Sequence, residues 1–224
     1  MAYKTQLKGS SANFSEVMLT NGFGIVTVMN AMIFDALDES VYKDLTAYEI
    51  VSTYDEKHEK YICTLDTLKV ANVTMEGPSK TITGGRYSNP IIKFGKSARL
   101  EMQDALGNAK AIEALCGGIG EFETDKLVGL HFGEDFVGAK MIIGDTFVID
   151  RKSGQQVKVK IVFYQFLPDS IFNLTQDAEG DATVFDMNGD LLTTEITVHD
   201  EEGNTMKHGV FYSIVDPVHE YKAN

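Results

Sequence analysis

Tryptophan is absent from the 224-residue chain, and proline is scarce, with four residues against twenty glycines. Few prolines and many glycines are typical of a protein built from short strands joined by tight turns. No apolar run reaches the roughly 18 residues that a membrane-spanning helix requires. The first residues also lack the apolar segment of a secretory signal, so we expect a protein that is not secreted.

Cysteine is almost as rare, because Cys63 and Cys116 are the only two. In a chain that is not secreted, two cysteines are more often small, reduced core residues than a disulfide. The sequence therefore predicts two free thiols in the core, and a disulfide between them is the alternative.

Basic residues are missing from one long interval of a chain whose formal net charge is −13. No Lys or Arg lies between Lys160 and Lys207, and such a field repels phosphate, which excludes a stable complex with nucleic acid through this face. The interval holds ten acids: Asp169, Asp177, Glu179, Asp181, Asp186, Asp190, Glu195, Asp200, Glu201 and Glu202. Two interpretations stay open. The acids either keep the surface solvated and soluble, or form a face whose role depends on where it points after assembly.

Patterns that signal catalysis or cofactor binding are also missing. The chain has no nucleophile elbow and no P-loop, and its five histidines lack the close spacing of a metal site. The segment Asp186–Asp190 has the acid spacing of a calcium loop, but Leu191 stands where that loop needs glycine and Thr197 where it needs glutamate. We therefore expect a protein that is not an enzyme and that uses no cofactor or metal.

Alternating apolar residues predict a mainly β fold. The clearest hairpin joins Lys140–Arg151 to Gln155–Phe166, and a second joins Thr194–Asp200 to Thr205–Val215. The continuous apolar run Gly24–Phe34 predicts a strand that is covered on both faces. A further strand is predicted at residues 46–54.

A single helix is predicted from Asp104, a good N-cap, to Cys116, with Gly117 following its end. Four apolar residues share one stripe at helical spacing, and we expect them to form the contact between helix and sheet. These residues are Leu106, Ala109, Ile112 and Cys116.

A tight reversal is predicted at Gly84, Gly85 and Arg86, because paired glycines supply the positive φ angles that such a turn demands. Residues 1–22 are polar and weakly patterned, which predicts a flexible N-terminal arm. No linker divides the rest, so residues 23–224 are predicted to form one β domain with a C-terminal tail.

The order of elements over residues 64–107 resembles the major tail proteins, or tail-tube proteins, of long-tailed bacteriophages. A DTLK strand is followed by a Thr-Gly-Gly-Arg turn, a strand entering Gly-Lys, and the Asp-Ala-Leu start of a helix. The later segment Leu174–Leu192, with AEGD followed by FDM, looks like a late part of the same family. The N-terminal third departs from the family pattern.

The resemblance implies two packed β-sheets, a sandwich or half-barrel of the tail-tube type, with one flanking α-helix. It also implies a structural virion protein whose rings of six copies stack into a tube that conducts DNA into the host. Its partners would be further copies of itself, a tape-measure protein, and tail terminator and distal tail proteins. DNA would pass through without specific binding, and the tail would assemble in the host cytoplasm.

If the chain forms such a tube, the acidic interval could line its inner wall and let DNA pass. A basic inner wall would bind the genome, whereas an acidic one would not. Alternation along residues 182–192 places Asp186, Asn188 and Asp190 on one face. It places Phe185, Met187 and Leu191 on the other. The acids expected to line the lumen or the seam between rings are Asp177, Glu179, Asp181, Asp186 and Asp190.

Two other functions remain open at this point. One is another β-rich virion protein, such as a tail terminator, a baseplate ring or a head-decoration protein. The other is a β-sandwich that binds or cleaves glycans. The acids do not decide for or against it, because pairs of carboxylates at a suitable distance arise by chance in a chain with 33 of them.

Overall fold

Strands dominate the structure, and most of them belong to one antiparallel sheet. The computed structural model of the protein describes residues 14, 17–21, 23–25, 30–66, 68–77, 79–81, 91–93, 95–104, 109–133, 136–169 and 185–218. Within these residues lie fifteen strands: β1 Phe23–Ile25, β2 Asn30–Asp35, β3 Tyr61–Leu65, β4 Leu68–Glu76, β5 Ser79–Thr81, β6 Ile91–Lys93, β7 Ser97–Asp104, β8 Gly118–Glu123, β9 Lys126–Phe132, β10 Lys140–Asp150, β11 Gln156–Pro168, β12 Phe185–Leu191, β13 Thr194–His199, β14 Thr205–Val210 and β15 Tyr212–Val215. The helices are α1 Glu39–Lys43, α2 Ala47–Thr53 and α3 Ala109–Cys116, with a π-helical turn at Val17–Asn21.

Nine strands form the large sheet, whose main order is β3-β2-β10-β11-β12-β7-β4. Its two longest strands, β10 and β11, each have one edge that is shared by two partners. β2 and β1 follow one another along β10, and β12 and β15 do so along β11. The pairs β5–β6, β8–β9 and β13–β14 form three separate two-stranded sheets.

The central hairpin of β10 and β11 confirms the clearest prediction from the sequence. Its turn is closed by Asp150, whose carboxylate accepts hydrogen bonds from the backbone N–H groups of Lys152 (2.9 Å) and Ser153 (3.3 Å). Gly154 completes the turn at a φ of +69°, which glycine adopts without steric cost. The last predicted hairpin is also present as β13–β14, although its final residues form β15 in the large sheet.

Both faces of the large sheet are covered near its centre. Core 1, the cluster around Ile33, Leu65, Leu100, Leu115 and Phe163, lies on one face and is covered by α3. Core 2, the cluster around Phe34, Tyr42, Ile50, Ile143 and Tyr164, lies on the other face under α1, α2 and β13. Neighbouring residues of one strand therefore enter different cores, which explains the continuous apolar run of β2.

The prediction of a strand at residues 46–54 is wrong, because this segment forms α2. A capping box begins this helix: the side chain of Thr46 accepts a hydrogen bond from the N–H of Glu49 (3.2 Å), and Glu49 accepts one from the N–H of Thr46 (2.7 Å). Ile50 and Tyr54, four residues apart, then share the face that packs into core 2.

The predicted N-cap at Asp104 is wrong, since Asp104 is the last residue of β7 and pairs with Leu68 of β4. The described part of the predicted helix is α3, Ala109–Cys116. The expectation of one flanking helix is also wrong, because α1 and α2 cover the face opposite α3. The fold is mainly β, with several antiparallel sheets and few helices.

Neither cysteine forms a disulfide and both are buried, as the sequence predicts. Cys63 on β3 and Cys116 at the end of α3 both belong to core 1. Burial raises the pKa of the Cys116 thiol to about 11, so this thiol stays protonated at neutral pH.

Part of the predicted N-terminal arm lies on the sheet. Of residues 1–22, the structure describes Phe14 and the π-helical turn, where Val17 is buried against Val148 and Val159. The flexibility of the arm and the limits of the β domain stay predictions.

Candidate functional site

A polar face covers one end of the large sheet, on the side of β4, β7 and β12 that is turned away from core 1. Along β7, Ala98, Leu100 and Met102 are buried in core 1, so the residues between them point to the opposite side. The polar face consists of residues that lie side by side in register: Asn72 and Thr74 on β4, Arg99, Glu101 and Gln103 on β7, and Asp186, Asn188 and Asp190 on β12.

The alternation predicted for β12 is confirmed. Asp186 and Asp190 are exposed, whereas Met187 and Leu191 are buried in core 1. Gly189 lies against β11, where an added Cβ would clash with the carbonyl oxygen of Leu167. This close approach fixes the strand, and with it the direction in which the two acids point.

Arg99 is the base at the centre of the polar face. Its Nη1 lies 3.2 Å from Oδ1 of Asp190 and 3.4 Å from Oδ1 of Asp169, and its Nη2 donates to Oδ2 of Asp169. The hydrogen bond with Asp169 is the main reason that the pKa of Arg99 is raised. Asp169 follows β11 and its backbone N–H donates to the carbonyl of Asn188 (2.8 Å). The arginine thus joins three separate stretches of chain.

A second contact orders the other end of β12. The Nε2 of Gln103 donates a hydrogen bond of 2.9 Å to Oδ1 of Asp186. Both predicted acids in the described chain are therefore held by β7. Together with Asp169 and Glu101, the polar face carries four carboxylates, of which only Asp169 and Asp190 contact Arg99, so the surface is acidic and only partly neutralised.

Within the described residues, the polar face ends at a strand edge that no further strand pairs. β4 is nine residues long and, among the described residues, pairs with a strand only on its β7 side. At the other end of the sheet β3 likewise pairs only with β2 within the described chain. Unpaired edges of this kind present rows of backbone donors and acceptors to any strand that approaches.

The structure brings together some of the residues that the sequence singled out. Asp186 and Asp190 share the polar face, while Ile112 and Cys116 are buried in core 1 and Ala109 is half-buried at the start of α3. Seven others lie outside the described residues: Asp177, Glu179, Asp181, Gly84, Gly85, Arg86 and Leu106.

Sequence reasoning missed Arg99 and Asp169 as members of this site. The signal for Arg99 was its position between Ala98 and Leu100, which an alternating strand turns to the opposite face from the core. The identity of its partners was not readable, because Asp169 and Asp190 lie 70 and 91 residues further along the chain.

Other kinds of site receive no support from the described residues. Among them, no group of three or more His, Cys, Asp or Glu side chains is placed to hold a metal ion. Their helices also include none that is long and apolar enough to cross a membrane.

Comparison with models of known protein families finds none that matches this chain. A search of curated proteins finds no similar sequence.

Proposed function

We propose that this chain is the tail-tube protein of a long-tailed bacteriophage, a structural subunit whose rings of six copies stack into a conduit for DNA. The observation that carries the proposal is the combination of the β4 edge, which no other described strand pairs, with the acidic polar face directly beside it. The resemblance of residues 64–107 to the family supports the same reading.

The open edges give a physical reason for assembly. Pairing the edge strand β4 of one copy with an edge of its neighbour would satisfy backbone groups that are an aggregation hazard in a monomer. Repeated around a ring, this pairing makes one continuous wall from the separate sheets. The two-sheet organisation of the tail-tube type belongs to this proposal.

The polar face supplies the chemistry of the inner wall. Its side chains lie on the surface adjoining the β4 edge, so a wall closed through that edge carries Asp186 and Asp190 on one side and core 1 on the other. An acidic wall does not hold phosphate by counterion release, so DNA passes without being bound. Three acids outside the described residues, Asp177, Glu179 and Asp181, are proposed for the same wall or for the seam between rings.

The partners follow from this role. The chain binds other copies of itself, and a tape-measure protein, a tail terminator and distal tail proteins complete the tail. It works without a cofactor, it is a structural protein of the virion and not an enzyme, and it assembles in the host cytoplasm.

The experiment is negative-stain microscopy of the purified chain beside an edge variant, Asn72→Lys. Asn72 is exposed on β4 and lies opposite Glu101, so a lysine there keeps the monomer folded while its charge blocks the approach of a second strand. Ser52→Lys, on the exposed side of α2, adds the same charge away from the edge and is the matched control.

We expect long hollow tubes from the unmodified chain and from Ser52→Lys, and folded, unassembled protein from Asn72→Lys. Discrete rings that never stack would favour another β-rich virion protein. Monomers at every concentration would contradict assembly and favour the glycan-directed β-sandwich.

A further inference from the structure

A cleft of about 730 Å³ opens between the π-helical turn, α2, β13 and β15. Its size is that of sites which hold a small ligand or a short piece of chain. Its walls are mainly apolar, and Leu19 at one side is 80% exposed, so apolar surface is open to solvent. Exposed apolar surface of this kind marks a place where another group binds. The apolar lining includes Phe14, Met18, Leu19, Ala47, Val198 and Ile214.

The charged residues of this cleft have one sign. Glu49 and Asp216 line it, and none of its described lining residues is Lys or Arg. His199 is the one described lining residue that can carry a positive charge, and its Nδ1 lies 3.3 Å from Oγ1 of Thr205. The lining therefore favours an occupant that is apolar and positively charged.

The backbone orders both carboxylates of the cleft. Glu49 belongs to the capping box of α2, and its hydrogen bonds with the backbone and side chain of Thr46 lower its pKa, so it is ionised at neutral pH. Asp216 follows β15, and its Oδ1 accepts a hydrogen bond of 3.0 Å from the N–H of Val218. Two walls of the cleft thus each carry an ordered acid.

Residues 1–13, which we call the basic segment, have the complementary composition. They contain Lys4 and Lys8 but no Asp or Glu, in a chain whose formal net charge is −13. Each of these lysines directly follows a large apolar residue, Tyr3 or Leu7. Residues 9–13 are small or polar and are typical of a connection. The basic segment therefore joins apolar side chains to positive charge, as the cleft requires.

The connection along the chain favours the cleft of the same copy. Phe14 directly follows the basic segment, lines the cleft, and packs against the cluster that contains Val17. Leu7 and Tyr3 precede Phe14 by 7 and 11 residues, so they can lie up to about 23 and 36 Å from it. A segment attached at the cleft wall also has a high local concentration there, which the same segment of a separate copy lacks.

We propose that the basic segment binds in the cleft of its own copy, with its two large apolar residues against the apolar walls and its two lysines beside Glu49 and Asp216. The inference goes beyond the proposed function and does not rest on it, because the contact forms within one copy and is measured before assembly.

The first test uses the absence of tryptophan, which makes Tyr3→Trp a single-tryptophan reporter in the full chain. We expect its emission at shorter wavelength, and its quenching by acrylamide reduced, relative to a free peptide of residues 1–13 with the same substitution. Removing both charges of the cleft, by Glu49→Gln with Asp216→Asn, takes away two ion pairs and should increase the unbound fraction about fivefold.

The matched control for this test is Glu113→Gln with Asp125→Asn in the same reporter chain. It removes the same two charges at exposed positions outside the cleft, so the emission and the quenching should not change. Circular dichroism melting verifies that each variant is folded. An indole as accessible as in the free peptide, or equal quenching in the cleft variant and the control, would overturn the inference.

The second test identifies the surface and the copy that the basic segment contacts. Leu7→Cys with Tyr48→Cys places one thiol in the segment and one in the cleft wall. Leu7→Cys with Glu113→Cys is the control, because Glu113 is exposed on α3, at the opposite face of the sheet from α2. Under mild oxidation of dilute protein, the first pair should form a disulfide within one copy about tenfold faster than the control pair.

Mass spectrometry and a non-reducing gel distinguish the possible products. Equal rates for the two pairs, or disulfides that form mainly between copies, would overturn binding in the cleft of the same copy. Either result would leave the proposed function standing, because tube formation is observed separately. A chain that shows the contact within one copy but never assembles would contradict the proposed function and support this inference.

Discussion

Arg99 on β7 and Asp190 on β12 lie directly opposite each other on adjacent strands, with 3.2 Å between the guanidinium Nη1 and the carboxylate Oδ1. The interval between Lys160 and Lys207 contains no Lys or Arg of its own. The fold supplies one from a strand 91 residues earlier and uses it to hold Asp190 and Asp169 together. The acidic interval is therefore partly balanced within the monomer, while Asp186 and Glu101 leave the polar face negative.

Replacing Arg99 by Gln should lower the free energy of unfolding by about 1 kcal/mol, because the ion pairs it makes are partly exposed. The loss should be larger at low ionic strength, since salt screens the repulsion among the remaining carboxylates. Urea unfolding at low and high salt measures both effects. Arg151→Gln, in the exposed turn after β10, removes an equal charge and should change stability little; equal losses in the two variants would contradict the role of Arg99.

Adding positive charge to the polar face should slow the passage of DNA. Reversing Asp186 and Asp190 together would also break the pair with Arg99, so Asp186→Lys with Asn188→Lys is the cleaner change. Both positions are on β12 beside β7, and we expect the tube to assemble but to release DNA from particles more slowly, most clearly at low salt.

The control for this prediction adds the same three positive charges on α1 and α2, as Ser40→Lys, Ser52→Lys and Thr53→Lys, because these residues are exposed there and lie off the polar face. It should release DNA at the normal rate. Unchanged release from the polar-face variant would show that these residues do not border the path of DNA.

Removing the hydroxyl of Tyr42 should cost about 1–3 kcal/mol of stability. The hydroxyl is buried in core 2, donates to the carbonyl of Tyr164 and accepts a hydrogen bond from the N–H of Leu37 (3.2 Å). Tyr42→Phe leaves these two backbone groups without that partner. Thermal or urea unfolding at neutral pH measures the loss, and a change within error would contradict the placement.

The same tyrosine predicts a dependence of stability on alkaline pH. Burial raises the pKa of Tyr42 well above its ordinary value of 10.0, and burial raises the pKa of Tyr164 to about 12. The folded protein then holds these protons more tightly than the unfolded chain, so stability is full below about pH 10 and falls above it. In Tyr42→Phe the fall should be shallower, by at most about 1.4 kcal/mol per pH unit; parallel curves would contradict the burial of this phenol.

Neither cysteine should react with a thiol reagent in the folded protein. Cys63 and Cys116 are buried, and the raised pKa of Cys116 leaves almost no thiolate at pH 8. Ellman's reagent should therefore label both thiols only after denaturation, whereas Ser52→Cys should provide one thiol that reacts at once. Rapid labelling of the unmodified folded protein would argue against the position of α3.

Placing a charge at Ile112 should destabilise the protein by several kcal/mol, because the side chain is buried in core 1 and an unpaired carboxylate there has no compensating partner. Ile112→Asp should yield little soluble protein. Ile112→Val keeps the site apolar and should cost about 0.5–1.5 kcal/mol. Soluble, fully assembling Ile112→Asp would contradict the contact between helix and sheet.

The strands were predictable where two faces differ in polarity. β7 alternates clearly, because Ala98, Leu100 and Met102, which the period of two selects, are its buried residues. The hairpin β10–β11 was found from the same period, although neighbouring inner residues such as Phe163 and Tyr164 are buried on both faces of the sheet. The segment 46–54 failed because a short apolar run fits either period. Thr46 and Glu49 have the spacing of a capping box, which predicts the start of a helix, and this signal was missed.

The order of the strands in the sheet could not be predicted from the pattern of neighbouring residues. β11 is bordered along one edge by β15 and β12, which lie far apart in sequence, and nothing near β11 specifies either partner. The same is true of Arg99 and its two acids. Distant pairs of this kind depend on how the whole chain closes, whereas alternation and caps depend only on neighbours.

The most direct measurement is a cryo-electron microscopy reconstruction of the assembled, purified chain. The account predicts a hollow tube of stacked six-copy rings, with β4 paired to a neighbouring copy and with Asp186 and Asp190 facing the lumen or the seam between rings. A tube in which these carboxylates face the outer solvent, or a chain that forms no tube, would contradict it.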